Sequence, residues 1–245
     1  MSIQRAKEIT KDVEGWLSDK EAEFLYNQAK KCAGRGVIVE IGSWKGRSAS
    51  FMGLGSLDGN KVPIYAIDPH YSVFKEGKDD LVVTNEVTTF NEFKRNIKKT
   101  GVDKIVTPIV ATSEEANKSW DKPIELLWID GDHSYEARKK DFQLWSPFLV
   151  DGGVIAMHDS FVKDGRIDPS IKEDIYHSKF FYDQGMADVL TYATKSGQPI
   201  GLMKRFRGLC LDGLDELRYF LRKLPWPFRS RLRTVGLKFF PFLRR

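Results

Sequence analysis

The chain has 245 residues, of which 41% are hydrophobic and 30% are charged, and its mean hydropathy is −0.39. This apolar content is sufficient for a buried core, and the ordinary numbers of glycine (20) and proline (10) exclude collagen-like and low-complexity classes. The sequence shows no apolar run of the length that a membrane-spanning helix needs. We therefore expect a globular protein with one large domain, or one domain with an appendage.

The positive charge is concentrated near the C-terminus. Residues 204–245 hold 12 of the 39 lysines and arginines but only 3 of the 34 acidic residues, whereas the whole chain has a net charge of +5. This distribution predicts a domain at residues 1–206 and a basic appendage at residues 207–245. Leucines at helical spacing, with arginines between them, predict that the appendage forms amphipathic helices.

The cysteines and the N-terminus bear on location. Cys32 and Cys210 are the two cysteines of the chain, and their separation fits neither a disulfide framework nor a paired zinc site. The first residues carry charges where a signal peptide needs an apolar stretch. These features predict a cytoplasmic protein.

In chain order, apolar runs alternate with amphipathic stretches, a pattern typical of a parallel sheet with helices on both faces. Ser18 and Glu21 have the spacing of a capping box, which predicts the start of a helix that ends near Gly34. Strands are predicted at residues 37–41, 62–67, 104–110, 124–129 and 153–157. Helices are predicted between them, at residues 49–54, 90–97, from 113, and at 135–149. We therefore predict an α/β fold.

Two further segments complete the predicted domain. Residues 187–194 and 199–204 flank a Ser196-Gly197 turn signal and are predicted to pair as an antiparallel hairpin at one edge of the sheet. Residues 70–88 are polar without a clean period, which predicts a long loop. Because long loops in compact domains often cover binding sites, we expect this loop to act as a lid.

A glycine-containing turn, EIGSWKG at residues 40–46, joins the first strand to a helix. Glycines let the backbone approach a ligand closely, and free N–H groups at a helix start face that ligand. The spacing matches neither the dinucleotide G-x-G-x-x-G motif nor a Walker loop. Asp68 ends the second strand, where a carboxylate can accept hydrogen bonds from ribose hydroxyls. Either feature alone is equally compatible with a structural turn, but together they predict an adenosine-containing ligand.

Four motifs, VEIGSWKGRSA, AIDPH, LLWIDGDHSYE and GGVIAMHDS, follow one another between Trp16 and Ser160. Their order and spacing resemble the class I S-adenosylmethionine (SAM)-dependent methyltransferases, most closely the bacterial macrocin-type O-methyltransferases of glycan and antibiotic-sugar modification. The resemblance implies a Rossmann-like fold with a mostly parallel seven-stranded sheet and an antiparallel terminal strand pair. It also implies SAM as the cofactor.

The same resemblance implies positions for the cofactor. Those at its methionine end are Glu40, Gly42, Ser43 and Gly46. The ammonium group of the cofactor would give Glu40 a partner of opposite charge. Asp68 would bind the ribose hydroxyls, and Ser113 would border the adenine. Gly42, Asp68 and Asp130 are expected to face one common hollow.

Titratable residues follow the fourth and fifth predicted strands, whose carboxyl ends should meet at the ligand crevice. They are Asp130, Asp132, His133, His158 and Asp159. Asp130, His158 and Asp159 are a candidate metal set, and the imidazole favours Mn²⁺ or Fe²⁺ over Mg²⁺. In metal-dependent relatives the fifth strand usually ends in two acidic or amide residues, so His158 departs from that pattern. Without a metal, His133 or His158 is the predicted general base beside Asp130.

The predicted reaction is methyl transfer from SAM to a hydroxyl. The predicted acceptor is a sugar or polysaccharide precursor, either a small molecule or a lipid-linked saccharide. Two alternative functions remain open. One is that of a metal-dependent hydroxylase-like relative on the same fold, and the other is that of a non-catalytic module that binds a membrane or a protein partner.

The basic appendage has alternative explanations of its own. Residues 207–245 combine leucine and aromatic side chains with arginines, which favours association with an anionic membrane at the inner face of the cell membrane. The same residues are equally compatible with packing on their own domain or on a second subunit of a homo-oligomer. No nucleic-acid partner is expected, because no recognised reader motif accompanies the charge.

Overall fold

The computed structural model describes residues 1–76, 80–87 and 89–223. The helices are α1 (Ile3–Thr10), α2 (Asp19–Lys31), α3 (Arg47–Leu57), α4 (Phe90–Lys99), α5 (Ser113–Asn117), α6 (Tyr135–Trp145), α7 (Pro169–Ile171) and α8 (Leu202–Lys223). The strands are β1 (Val37–Ile41), β2 (Ile64–Ile67), β3 (Tyr71–Glu76), β4 (Asp80–Val87), β5 (Val106–Ile109), β6 (Ile124–Ile129), β7 (Leu149–Met157), β8 (Phe181–Ala187) and β9 (Leu190–Lys195).

The main sheet has seven strands in the order β5-β2-β1-β6-β7-β9-β8. The first five strands are parallel, and β9 pairs antiparallel with both β7 and β8. This arrangement confirms the predicted Rossmann-like α/β fold with its antiparallel terminal pair. The chain leaves β1 towards β2 on one side and later returns to β6 on the other, and ligands bind at such a switch point in open α/β sheets.

Both faces of the sheet are buried, as a parallel sheet covered by helices requires. Ile38 and Trp128 pack into one core cluster with residues of α2, α3 and α4, whereas Val39 and Leu127 pack into a second cluster with Trp145 of α6. Successive residues of a strand point to opposite faces. The apolar runs of β1 and β6 therefore supply both cores at once, and the strand ends alone remain available for a site.

The terminal hairpin lies earlier in the chain than the sequence predicts. The prediction pairs residues 187–194 with 199–204, but the structure pairs β9 with the upstream strand β8. Asp188 adopts a left-handed conformation, with φ of 60°, in the short turn between these strands, and aspartate tolerates that conformation in turns. The segment after Ser196-Gly197 instead leads into α8. The position of the hairpin is thus corrected, although its place at the sheet edge is confirmed.

The predicted loop at residues 70–88 contains secondary structure. β3 and β4 pair antiparallel, with Val73 opposite Val83. The segments contain several β-branched and aromatic residues, which favour strands over irregular loops. The prediction of a long loop is therefore wrong for β3 and β4, and residues 77–79 and 88 of that predicted loop lie outside the described residues. The lid function stays a prediction.

Two boundaries near the site also differ from the predictions. The N-terminal helix α1, which the sequence reading omits, starts with the Ser2 side chain accepting a hydrogen bond from the Arg5 N–H. Helix α6 ends at Trp145 rather than at residue 149, because a short 3-10 helix containing Pro147 follows it. β7 then begins at Leu149, earlier than predicted.

Helix α8 crosses the predicted boundary at residues 206/207 and packs on the domain. The Asp215 carboxylate accepts a hydrogen bond from the Ile167 N–H at 3.0 Å and lies 3.0 Å from the Lys172 ammonium. Asp212 pairs with His177 at 2.7 Å. The division at 206/207 stays a prediction, and its second amphipathic segment, at residues 228–239, lies outside the described residues. No helix in the described ranges has the length and hydropathy needed to cross a membrane.

Candidate functional site

A cavity of about 900 Å³ opens at the carboxyl ends of β1, β2, β6 and β7. Nine residues singled out from the sequence line it: Gly42, Ser43, Asp68, Ser113, Asp130, Asp132, His133, His158 and Asp159. The expectation that Gly42, Asp68 and Asp130 face one hollow is therefore confirmed. Glu40 and Gly46 are not among its lining residues.

Gly42 lets two strand ends approach each other closely. Its φ is +84°, and a Cβ at this position would overlap the backbone carbonyl of Asp130. The Asp130 N–H donates to the Ile41 carbonyl at 2.8 Å, so the β1 turn and the β6 end are fixed together. A side chain at position 42 would both strain the backbone and separate these strands.

Asp68 is held by the backbone around it. Its Oδ2 accepts a hydrogen bond from the Trp44 N–H at 2.7 Å, and its Oδ1 accepts one from the His70 N–H at 2.6 Å. Each carboxylate oxygen has a second lone pair. Asp68 is thus oriented by the protein while retaining acceptor capacity towards the cavity.

Glu40 lies behind the cavity wall. It is fully buried, and its Oε1 accepts a hydrogen bond from the Ser48 hydroxyl, which does line the cavity. Its Oε2 has no hydrogen-bond partner among the described residues. Burial, together with the charges of Asp130 and Asp68, raises the pKa of Glu40 to about 8. A cation bound in front of Ser48 would relieve this unfavourable environment.

Of the remaining predicted cofactor positions, Ser43 and Ser113 line the cavity, whereas Gly46 supports the packing of the turn. The Ser43 hydroxyl is buried at the wall and has no hydrogen-bond partner in the described part of the chain. The Ser113 hydroxyl accepts a hydrogen bond from the Trp145 indole N–H at 2.8 Å. Gly46 lies on the other side of the turn, where a Cβ would lie 2.9 Å from the Phe93 ring. Gly46 therefore allows α3 to pack on α4 and does not line the cavity.

His158 lies between carboxylates on both sides of its ring. Its Nδ1 is 3.1 Å from Asp130 Oδ1 and 3.6 Å from Asp159 Oδ1, while its Nε2 is 3.5 Å from Glu21 Oε1. Burial alone would lower its pKa, but the interactions with Asp130, Glu21 and Asp159 outweigh burial and raise the pKa of His158 to about 10. At neutral pH the ring is therefore a cation, and the prediction of His158 as a general base does not fit this environment.

The candidate metal set does not fit an ion. A histidine ligand binds metal through the lone pair of a neutral ring, whereas both nitrogens of His158 face carboxylates that favour its protonated form. Within residues 1–76, 80–87 and 89–223, no three histidine, cysteine, aspartate or glutamate side chains are arranged to hold a metal ion. Asp130, His158 and Asp159 instead form an ion-pair cluster.

His133 and Asp159 form a second, more exposed pair. His133 Nε2 lies 3.3 Å from Asp159 Oδ2, and each side chain is about half exposed (48% and 47%). The Arg138 guanidinium lies 3.2 Å from the other ring nitrogen, Nδ1. Because arginine only donates hydrogen bonds, Nδ1 is the acceptor and Nε2 carries the proton that faces Asp159. Because both ring nitrogens of His133 are engaged, the Asp159 carboxylate is the proton acceptor that this pair presents to the cavity.

Arg138 also fixes the loops after β6 and β7. It is buried (3% exposed), and it donates to the backbone carbonyls of His133, His158 and Asp159 at 3.2, 2.8 and 2.8 Å. Asp159 adopts a left-handed conformation, with φ of 47°. Its carbonyl accepts a hydrogen bond from Arg138, whereas its carboxylate lies beside His133 and His158. Arg138 therefore positions both histidines of the site.

Sequence reasoning missed four residues around the cavity. Glu21 has a visible signal, since it completes the capping box of α2, but that signal indicates only a helix start. Arg138 stands among other charged residues of α6 and has no distinguishing pattern. Trp16 and Trp44 stack on each other at the cavity mouth. Trp16 stands two residues before the Ser18 helix cap and outside the predicted apolar runs, a position that could have indicated a surface site.

Comparisons with known proteins agree with this geometry. Residues 39–160, which contain most of the cavity, match the family model described as a methyltransferase domain. The chain is also 28% identical over 176 residues to an uncharacterized protein, R132, of Acanthamoeba polyphaga mimivirus, covering 70% of this chain and 72% of that protein.

Solved structures share the fold at low sequence identity. An O-methyltransferase from Bacillus cereus in complex with S-adenosylhomocysteine (SAH) is 13% identical, with a TM-score of 0.53 over 79% of this chain and 90% of that one. TomG of Streptomyces achromogenes, an O-methyltransferase involved in tomaymycin synthesis and solved with SAM, is 14% identical, with a TM-score of 0.53 over 80% and 89%. The family match and the strand order together show a methyltransferase domain with the Rossmann-like fold that these solved structures share.

Proposed function

We propose that the chain transfers the methyl group of SAM to a hydroxyl oxygen of a saccharide, free or lipid-linked, in a glycan precursor. The observation that carries the proposal is a single cavity that joins the Gly42 turn and Asp68 to the half-exposed pair His133 and Asp159. The first two suit the cofactor and the last two suit a hydroxyl that must lose its proton.

The cofactor half of the cavity presents the groups that SAM requires. Asp68 is proposed to accept hydrogen bonds from the ribose hydroxyls, because its carboxylate is oriented by Trp44 and His70. The Ser43 hydroxyl, unpartnered at the wall, is available to the methionine end. Glu40 is proposed to attract the ammonium group across the Ser48 hydroxyl, since its buried carboxyl has one unpartnered oxygen.

When bound, SAM would supply a methyl group on a cationic sulfur, with the C–S bond breaking as the C–O bond to the acceptor forms and SAH remaining as the neutral thioether. The protein must therefore align the acceptor oxygen and take up its proton. We propose that the hydroxyl proton passes to the Asp159 carboxylate, while Arg138 keeps the His133 imidazole oriented with its Nε2–H facing that carboxylate. The His158 imidazolium balances the charges of Asp130 and Asp159, so that these carboxylates lie close together beside the cavity.

The hydroxyl acceptor is supported by two lines of reasoning. The solved relatives from B. cereus and S. achromogenes are O-methyltransferases. The acceptor half of the cavity presents carboxylates and imidazole, which accept hydrogen bonds from hydroxyl groups. The macrocin-type motif pattern in the sequence supports a sugar in particular.

Calorimetric titration with SAM tests the cofactor half. We expect the parent protein to bind SAM and Asp68→Ala to bind it at least about tenfold more weakly, which corresponds to about 1.4 kcal/mol. A parent protein that binds neither SAM nor SAH would contradict the proposed function. Lys163→Ala, on a loop outside the SAM-binding cavity, serves as the control and is expected to bind SAM like the parent.

We also propose that the C-terminal residues 207–245 associate with an anionic membrane. In α8, Phe206, Leu217 and Phe220 are exposed, and basic residues flank them. Such a combination binds lipid surfaces that carry negative charge. Co-sedimentation of the full chain with phosphatidylserine-containing vesicles tests the proposal, with Phe206→Ser/Phe220→Ser as the variant. Binding that is absent from the parent at low salt, or unchanged in the variant, would contradict it.

A further inference from the structure

Two indole rings stack at the mouth of the cavity. Trp16, in the connection between α1 and α2, lies against Trp44 of the β1 turn with ring centroids 4.7 Å apart and an interplanar angle of 28°. Trp16 lines the cavity and is still 78% exposed. Trp44 covers one face of Trp16, so the other face is open to water. An open indole face at a cavity mouth is a large apolar surface suited to a ligand.

The position of Trp16 is fixed by charged neighbours. The Arg47 guanidinium donates to the Val13 carbonyl at 2.5 Å, and a Cβ on Gly15 would lie 2.8 Å from the Arg47 Cβ. Lys45 pairs with Glu14 at 2.7 Å, which ties the same segment to the β1 turn. The connection that carries Trp16 is therefore held on the turn before any ligand binds, and such preorganisation favours binding.

Trp44 is fixed from the other side. The Lys45 ammonium lies 4.7 Å from the centroid of the Trp44 ring, and Glu92 of α4 pairs with this ammonium at 2.8 Å. The Trp44 N–H donates to Asp68, the carboxylate proposed to hold the ribose. The indole pair is thus a rigid extension of the cofactor half of the site.

Polar and charged side chains line another part of the cavity wall. Asp132 and Asp159 are accessible from the cavity and accept hydrogen bonds, and His133 adds an imidazole. A pyranose ring has an apolar face of C–H groups and a periphery of hydroxyl groups. The C–H face can pack on an indole face, and the hydroxyl groups can donate hydrogen bonds to carboxylates. An unsubstituted aromatic ring would give these carboxylates no hydrogen-bond donors.

We propose that the free face of Trp16 is the acceptor subsite and that it binds a pyranose ring, whose hydroxyls reach the carboxylates of the same cavity. This inference rests on the proposed function, since it places the saccharide acceptor of that function on Trp16. It assigns Trp16 a direct contact with the acceptor and Trp44 the role of supporting it.

The test uses the full chain saturated with SAH and a panel of methyl hexopyranosides as probes, with saturation-transfer NMR as the measurement. We expect saturation of the C–H protons of at least one probe, and at least a fivefold weaker effect in Trp16→Ala. Trp16→Phe should retain part of the binding, because a smaller aromatic face remains. Phe180→Ala removes an aromatic that is 45% exposed outside the cavity, and this variant should bind the probes like the parent.

Three results would overturn the inference. The first is that the parent, although it binds SAH, binds no hexopyranoside. The second is that Trp16→Ala and Trp16→Phe bind the probes as the parent does, or that catechol, added as an aromatic comparison probe, shows Trp16-dependent binding while no hexopyranoside does. The third is that SAH affinity in Trp16→Ala falls by the same factor as probe binding, which would place the cofactor on Trp16. Loss of SAH binding by the parent itself would instead refute the proposed function.

Discussion

Glu21 Oε1 lies 3.5 Å from His158 Nε2, which joins the start of α2 to the end of β7. Glu21 is buried, and its other oxygen accepts a hydrogen bond from the Ser18 N–H at 2.8 Å. A helix cap and a histidine of the site therefore share one carboxylate. The capping box orients this carboxylate, and the carboxylate in turn stabilises the charged form of the histidine.

Glu21→Gln should lower the pKa of His158 from its value of about 10, because one of three surrounding carboxylates is lost. NMR titration of the chain labelled at histidine measures this change. Glu23→Gln, an exposed change on the same helix, is the control and should leave the His158 titration in place. An unchanged midpoint in Glu21→Gln would show that the carboxylate does not act on the ring.

The stability of the protein should fall as the solution becomes alkaline. The pKa of His158 is about 10 in the folded chain and about 6.5 in an unfolded one. Its stabilising contribution is therefore complete below about pH 6.5 and is lost as the pH rises through about 10. Chemical denaturation between pH 7 and 10 should show this decline in the parent.

His158→Gln removes the cation from the buried cluster. We expect this variant to be less stable at pH 7 by about 3–5 kcal/mol, because Asp130 and Glu21 lose their partner. Its free energy of unfolding should also depend less on pH between 7 and 10. A pH dependence as steep as that of the parent would assign the effect to other groups.

Binding of SAM should release a proton from Glu40. Burial raises the pKa of Glu40 to about 8, so most of this carboxyl is protonated at pH 7. An ammonium group in front of Ser48 would lower that pKa and release a proton. Calorimetry in two buffers with different ionisation enthalpies measures the release, which should disappear in Glu40→Gln. Equal release in the parent and the variant would place the proton elsewhere.

The His133–Asp159 pair should affect turnover more than cofactor binding. Asp159→Asn is expected to lower kcat by about 10² to 10⁴, the usual contribution of a general base. His133→Asn should lower kcat by a smaller factor, because His133 orients the carboxylate and does not take the proton. Transfer of radiolabelled methyl to the hexopyranoside panel measures the rate, and titration with SAH measures binding. If Asp159→Asn keeps parental turnover, this carboxylate does not take the proton.

Treatment with EDTA followed by dialysis should leave methyl transfer unchanged. The carboxylates and the imidazole that could bind an ion are paired with one another. The same assay before and after treatment is the measurement, and readdition of Mg²⁺ or Mn²⁺ is the control. A loss of activity that either ion restores would show that the cluster rearranges to bind metal.

Most of the fold could be predicted because its signals are local. The runs at β1 and β6 are apolar without interruption, and Gly42, Asp68 and Asp130 each follow a strand whose end is visible in the sequence. Strand ends of a parallel sheet meet at one edge, so the common cavity follows from chain order alone. The hairpin position was harder, because an aspartate in a left-handed turn is a weaker signal than Ser-Gly.

The protonation states in the site could not be predicted in the same way. His158 is a candidate base when only its own strand is considered, and it becomes a cation because Glu21, 137 positions earlier in the chain, lies on its other side. The tautomer of His133 likewise depends on Arg138, which reaches it across the first turn of α6. Such contacts depend on distances between elements, which a sequence pattern does not contain.

Arg138 should affect how an acceptor enters the cavity. Since the same guanidinium contacts the carbonyls that follow β6 and β7, a shift of one loop strains the hydrogen bonds of the other. The two loops should therefore move together, because the buried Arg138 guanidinium joins them. An acceptor that displaces either loop would therefore strain hydrogen bonds of both loops, which should disfavour acceptors larger than the gap between them.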